Sequence, residues 1–199
     1  MSREIEQEIR ERWFDRHTAT LTKHGDLEVL QWKRPGTRDY SCRYVFDGNM
    51  MYISGDLGEA VFWLTWKASV HSFNDVHIDY FDEKLNAYSG DRRDFDEGKA
   101  VKRLREWLKE IHECGRVYDH DDMKDLFEKA RSCNSHSEWI EIVHKYDDLI
   151  CELDPDYWEW MGTCGDKIPG RIQCYLVGLK MASEQLKATE IKGDRGGIN

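Results

Sequence analysis

No stretch of this 199-residue chain approaches the roughly 18 consecutive apolar residues that a membrane-spanning helix needs. The opening segment MSREIEQEIRERWF places charges where a secretory leader requires an unbroken apolar core, so the chain is expected to be neither exported nor embedded. Paired cysteines are missing too. Cys42, Cys114, Cys133, Cys151, Cys164 and Cys174 stand singly, with no CxxC and no short ladder, which argues against a secreted disulfide scaffold and predicts reduced thiols in a cytoplasm. GxxxxGK[ST], HExxH, G-x-S-x-G and an EF-hand loop are all lacking, and the glycine pair of GDLG (55–58) reads as a turn. Phosphate-loop, zinc-protease, serine-hydrolase and calcium chemistries therefore have no local support, and no cofactor is expected.

What is present is bulk and charge. Apolar residues make up 40% and aromatics 12%, too much large apolar surface for a disordered chain to leave in water. The length suits one core, or one core plus a smaller satellite. Net charge is −10, and its placement is uneven: residues 1–74 carry 11 acids against 10 bases, residues 75–199 carry 28 against 19. A negative field repels phosphate backbones, so direct nucleic-acid contact is expected only through a local basic helix, whereas a basic protein partner is favoured.

The period of the apolar residues predicts an α+β fold. Ser2 is placed to cap an opening helix in which Ile5, Ile9 and Trp13 recur and Glu6/Arg10 and Glu8/Arg12 are spaced for pairing. Four β-rich segments follow, 27–33, 40–46, 49–54 and 59–66, read as a four-stranded antiparallel meander with a hairpin bend at Asp47-Gly48. The run AVFWLTW, apolar on both faces, suits a strand covered on both sides. Helical spacing then takes over: Ile78, Phe81, Leu85 and Tyr88 on one face, a helix from Asp94 to Gly115, and others over 119–132, from Ser135, from Asp154-Pro155 and from Pro169. These elements predict an α+β subdomain over 1–92, a helical subdomain over 93–191 and a mobile tail over 192–199.

Three groups of residues carry candidate chemistry. IHECGRVYDHDDMKD gathers His112, Cys114, Asp119, His120, Asp121, Asp122 and Asp125, able in principle to hold a divalent metal for phosphodiester cleavage. The competing reading makes the aspartates helix caps. YDDLICELDPDYWEW holds Asp147, Asp148, Glu152, Asp154, Asp156 and Glu159 with no base, interleaved with Tyr157, Trp158 and Trp160. Such a surface can anchor a basic groove by imitating nucleic acid, or it can be a helix junction with caps outside and rings inside. Lys99, Lys102, Arg103, Arg105 and Lys109 share one helix, where they can touch RNA phosphates or simply form its solvated face beside Glu106 and Glu110.

The segments RYVFDGNMMYISGDLGEAVFWLTWKAS and YWEWMGTCGDKIPGRIQCYLVGLKMASEQLK resemble small proteins carried by phages and mobile elements of Gram-positive bacteria, some of which look like anti-CRISPR inhibitors of the type II effector nuclease. The likeness lies in overall texture and carries over no functional residue. It implies a counter-defence protein in the cytoplasm of the bacterial host. Inhibition would follow one of two routes: an acidic surface blocking the basic channels for guide RNA or target DNA, or ribonuclease action on the guide RNA through the His/Asp segment or the N-terminal histidines. An accessory interaction module without a CRISPR link is the third reading.

Overall fold

The computed structural model describes residues 1–195, with side chains described to residue 191. In chain order, α1 (Arg3–Glu8) runs into a π-helical turn (Ile9–Trp13). The strands β1 (Thr18–His24), β2 (Leu27–Lys33), β3 (Cys42–Asp47), β4 (Met50–Gly55) and β5 (Ala60–Trp63) come next. A 3-10 turn (Val70–Phe73), α2 (Ile78–Glu83) and β6 (Leu85–Tyr88) follow. Then come β7 (Asp94–Phe95), α3 (Glu97–Glu113), α4 (His120–Ser132), α5 (His136–Lys145) and α6 (Asp147–Leu153). Two 3-10 turns (Tyr157–Glu159 and Met161–Thr163), β8 (Asp166–Lys167) and α7 (Gly170–Arg195) complete the chain.

The chain divides into two units, the first comprising 1–92 with the segment from Ile168 onward and the second Arg93–Lys167. A single cut near residue 92 would leave α7 with the helices of 93–191; instead α7 supplies the core of the first unit. The tail expected from Lys192 continues α7 through Arg195, and residues 196–199 lie outside the described residues.

The first unit is a sheet of six antiparallel strands in sequence order, larger than the four-stranded meander that the sequence suggests. β1 carries little signal in the sequence because only Ala19 and Leu21 of its seven residues are apolar and neither is fully buried. β6 was hidden because Leu85 and Tyr88 continue the helical spacing of Ile78 and Phe81, although α2 stops at Glu83. One sheet face is apolar: Leu30, Trp32, Tyr44, Phe46, Met51, Ile53 and Phe62 are all at most 3% exposed. AVFWLTW is not covered on both sides. Only Ala60–Trp63 is strand, Ala60 and Phe62 point into the core, and Trp63 is 63% exposed on the other face. The bend between β3 and β4 is Gly48-Asn49, since Asp47 pairs with Met50; Gly48 takes φ +58°, a conformation that glycine adopts without penalty.

α7 crosses the apolar face. Tyr44 donates its hydroxyl to the Tyr175 carbonyl (3.1 Å) and Tyr175 donates to the Leu57 carbonyl (2.7 Å). Gly178 is small for a reason: a Cβ there would lie 2.7 Å from the Tyr44 hydroxyl and 3.2 Å from Trp32. The opening helix has its predicted cap, Ser2 accepting from the Ile5 amide, and both predicted ion pairs, Arg10–Glu6 and Arg12–Glu8. The π-turn was not legible. Phe14 N–H bonds to the Ile9 carbonyl five residues back, and that wider step buries Ile9 and Phe14 while Ile5 stays 41% exposed.

His17 is a buried titratable group of this core, 2% exposed, with its ring against Phe14 (5.0 Å) and Trp32 (5.5 Å) and its Nε2 without a hydrogen-bond partner. Burial holds its pKa below the ordinary 6.5. The unfolded chain therefore binds the proton more readily, and stability present above pH 6.5 is lost as pH falls from 6.5 toward the lower folded value. Urea midpoints on both sides of that pH should show the loss in the native chain and a shallower decline in His17→Phe; identical profiles would contradict it. All six cysteines are unpaired, and burial pushes the Cys42 and Cys164 thiols up to about 12.

In the second unit, α3, α4 and α5 pack through Leu104, Trp107, Met123, Leu126, Trp139 and Val143, while Phe95 of the β7–β8 pair lies 5.6 Å from Trp139. The caps are Asp96 to the Lys99 amide, Asp119 to the amides of Asp121 and Asp122, and Ser135 to the Glu138 amide. Asp96, two residues after the expected Asp94, starts α3 because Asp94 belongs to β7.

Candidate protein-binding surface

The acidic segment 147–159 is built around a kink. α5 ends at Tyr146 and α6 starts at the next residue, so Asp147 and Asp148 fall in a first helical turn, where free amides and the positive dipole end favour carboxylates. Ile150 and Leu153, three positions apart, bury the inner side of α6 and leave Asp148 and Glu152 outside. Asp154 then leaves the helix in an extended conformation and the chain folds back.

Two side-chain braces hold that return. The Tyr157 hydroxyl donates to the Asp147 carboxylate, and Trp160 Nε1 donates to the Asp154 carboxylate at 3.1 Å, which also accepts the Asp156 amide at 3.1 Å. Asp147 as a neighbour raises the Tyr157 pKa, which keeps that hydroxyl a donor. Below, Trp160 packs against Trp107 (6.0 Å) and under the Arg103 guanidinium (4.2 Å), while Arg116 donates to the Leu153 carbonyl at the end of α6.

The braces sort the residues by role. Asp147, Asp154 and Tyr157 organise the surface, since their polar atoms serve internal bonds. Asp148, Glu152, Asp156 and Glu159 are exposed with free carboxylates. Among the described residues, none of the six acids forms an ion pair with lysine or arginine. Trp158, one of the three aromatics that the sequence interleaves with the acids, stands among them 69% exposed, whereas Trp160 of the same W-E-W repeat turns inward. The unit that carries this segment has 20 acids against 12 bases, a net charge of −8, while the sheet-bearing unit has 19 against 17.

The other two candidate groups are not brought together in this way. Among the described residues no three His, Cys, Asp or Glu side chains converge as a metal ion would require. Asp119 is a helix cap, Asp121 and Asp122 are exposed in the first turn of α4, Asp125 accepts from Lys145 and Tyr146, and His120 leans on Tyr118. His112 meets the Tyr118 hydroxyl at 2.6 Å. The basic helix is divided: Lys99 Nζ donates to the Asp166 carbonyl (2.7 Å), Arg103 pairs with Glu110 (3.4 Å), and Lys109 pairs with Glu113 (3.6 Å). Lys102 lines a cleft of about 350 Å³ with Glu106 and Trp160, while Arg105 lies in a different cleft beside Tyr118 and Phe127.

No family model matches the chain, and neither a curated protein nor a solved structure matches it. Among the described residues no helix is long and apolar enough to cross a membrane.

Proposed function

We propose that this protein acts by binding a basic protein partner through the surface formed by Asp148, Glu152, Asp156, Trp158 and Glu159. The observation that carries the reading is a braced, unneutralised set of carboxylates around one exposed tryptophan. Four acids free of local cations project a field that draws in a positive groove, and a rigid aromatic supplies the anchor that charge alone does not. Bracing matters because a surface already ordered loses less freedom on association.

Following the resemblance noted from the sequence, the proposed partner is the type II CRISPR effector nuclease. Its channels for guide RNA and target DNA are positively charged, and an acidic mimic seated there blocks nucleic-acid use. The chain is then a counter-defence inhibitor in the bacterial cytoplasm. Binding is preferred over guide-RNA cleavage because four of the eight histidines are engaged separately: His17 in the sheet core, His71 on Ser183, His112 on Tyr118 and His136 on Asp166.

The test is co-elution of the full chain with the effector nuclease, with and without guide RNA, on a sizing column. A shared peak that weakens with salt supports the reading, and separate peaks at low salt overturn it. Guide RNA incubated with the protein, with and without EDTA, should stay intact; cleavage in either lane would replace the binder with the ribonuclease.

A further inference from the structure

We infer that the open face of the six-stranded sheet binds single-stranded nucleic acid. Strand alternation places on the side away from α7 a row of residues that pair across the sheet: Val29 with Val45, Val45 with Tyr52, Tyr52 with Val61 and Val61 with Ala87. Among the described residues no element of this unit covers that row, and Tyr52 is 41% and Trp63 is 63% exposed. Neither ring stacks on another among the described residues. Two large rings on adjacent strands left bare to water mark a binding face.

Register gives the face a direction. Arg43 opposes Ser54, two residues past Tyr52, and Trp63 lies two residues past Val61, the partner of Tyr52. Arg43, Tyr52 and Trp63 are thus successive diagonal neighbours on three strands, about 7–8 Å apart per step. A single strand laid along this line puts phosphate on Arg43 and bases on the two rings, whose stacking tolerates any sequence. Duplex DNA, with its bases already stacked inside, offers nothing to the rings.

Charge agrees with this path. Beside Arg43 runs a trough of about 590 Å³ whose lining includes Lys33, Arg43 and His24 together with Thr20, Thr22 and Gln31, but no carboxylate. Among the described residues neither Lys33 nor Arg43 has an acidic partner. Asp47, across from Met50, lies at the Trp63 end of the face and so orients the phosphates toward the Lys33–Arg43 end. This differs from the basic α3, where lysine and arginine are largely paired or divided between clefts.

The test is fluorescence anisotropy of labelled oligo(dT) and oligo(U), about a dozen nucleotides long to match the usual site size, titrated with the full chain at low salt. Binding of either strand is expected, with a duplex of the same length competing poorly. Trp63→Ala and Tyr52→Ala should each weaken binding about tenfold, from the loss of one stacked base. Arg43→Ala should lower the log–log salt slope by about 0.7, the loss of one phosphate contact. All three sites are on the surface, and unchanged circular dichroism separates lost contact from lost fold. Absence of binding, or binding that Trp63→Ala leaves intact, overturns the inference. So does a dimer that Trp63→Ala converts to monomer, since a second copy would then occupy the face.

Discussion

Replacing Asp148, Glu152, Asp156 and Glu159 together by lysine is expected to weaken the proposed binding to the effector nuclease by about 2 kcal/mol, roughly thirtyfold, and to flatten its salt dependence. Each exposed pair is worth about 0.2–1 kcal/mol, and the sum is the long-range component that salt screens. Among the described residues these four side chains make no internal hydrogen bond or ion pair, so the urea midpoint should stay close to that of the native chain. Only Asp148, in the first turn of α6, carries a helix-dipole contribution, of about 0.5 kcal/mol. Trp158→Ala should act differently. It should cost about 2 kcal/mol or more as the buried anchor and leave the salt slope unchanged, because the ring carries no charge. Equal affinity for the quadruple variant and the native chain would remove the electrostatic part of the reading, measured most simply by calorimetric titration at two salt concentrations.

Trp139→Ala is expected to be the most damaging single change in the second unit. Trp139 is 0% exposed, lies against Phe95, and donates Nε1–H to the Met161 carbonyl at 2.7 Å. Truncating a buried tryptophan costs about 3–5 kcal/mol, and the orphaned carbonyl adds about 1 kcal/mol or more. That is a large part of the usual 5–15 kcal/mol, so the unit should be substantially unfolded near room temperature. The consequence reaches the acidic surface, because Met161 immediately follows Trp160, whose indole braces Asp154. Urea denaturation followed by circular dichroism should show the loss; a midpoint within about 1 kcal/mol of native would mean that Trp139 is not the keystone its contacts suggest. Trp139→Phe, which keeps much of the ring packing and loses the hydrogen bond, should fall between the two.

Much of the helical half was legible because caps and stripes are local signals. Ser135 with Glu138, Asp119 before its helix, and the Val101–Leu104–Ile111 stripe each lie within a few residues, and each folds as its spacing predicts. The sheet was less legible where strands are short or polar. Thr18–His24 becomes a strand only because Leu27–Lys33 lies beside it, a pairing that local alternation does not reveal. The membership of α7 was hidden for the same reason: Tyr175 and Gly178 are recognisable as core only once Leu57, Tyr44 and Trp32 stand opposite.

The candidate surface shows the same division. That acids and aromatics crowd 147–160 is plain in the letters. Which of them face outward depends on two braces, Tyr157 to Asp147 and Trp160 to Asp154, at separations of 10 and 6 residues that no helical period predicts. The group over 112–125 shows the reverse: residues close in sequence are engaged separately, in capping and against neighbouring rings.

Hydrogen exchange on the full chain, alone and mixed with the guide-loaded effector nuclease, reports most directly on where the proposed partner sits. The predicted result is slowed exchange across residues 147–160 in the complex, with the open sheet face unchanged at this interface. A stable complex in which 147–160 exchanges as fast as in the free chain would contradict the assignment of this surface.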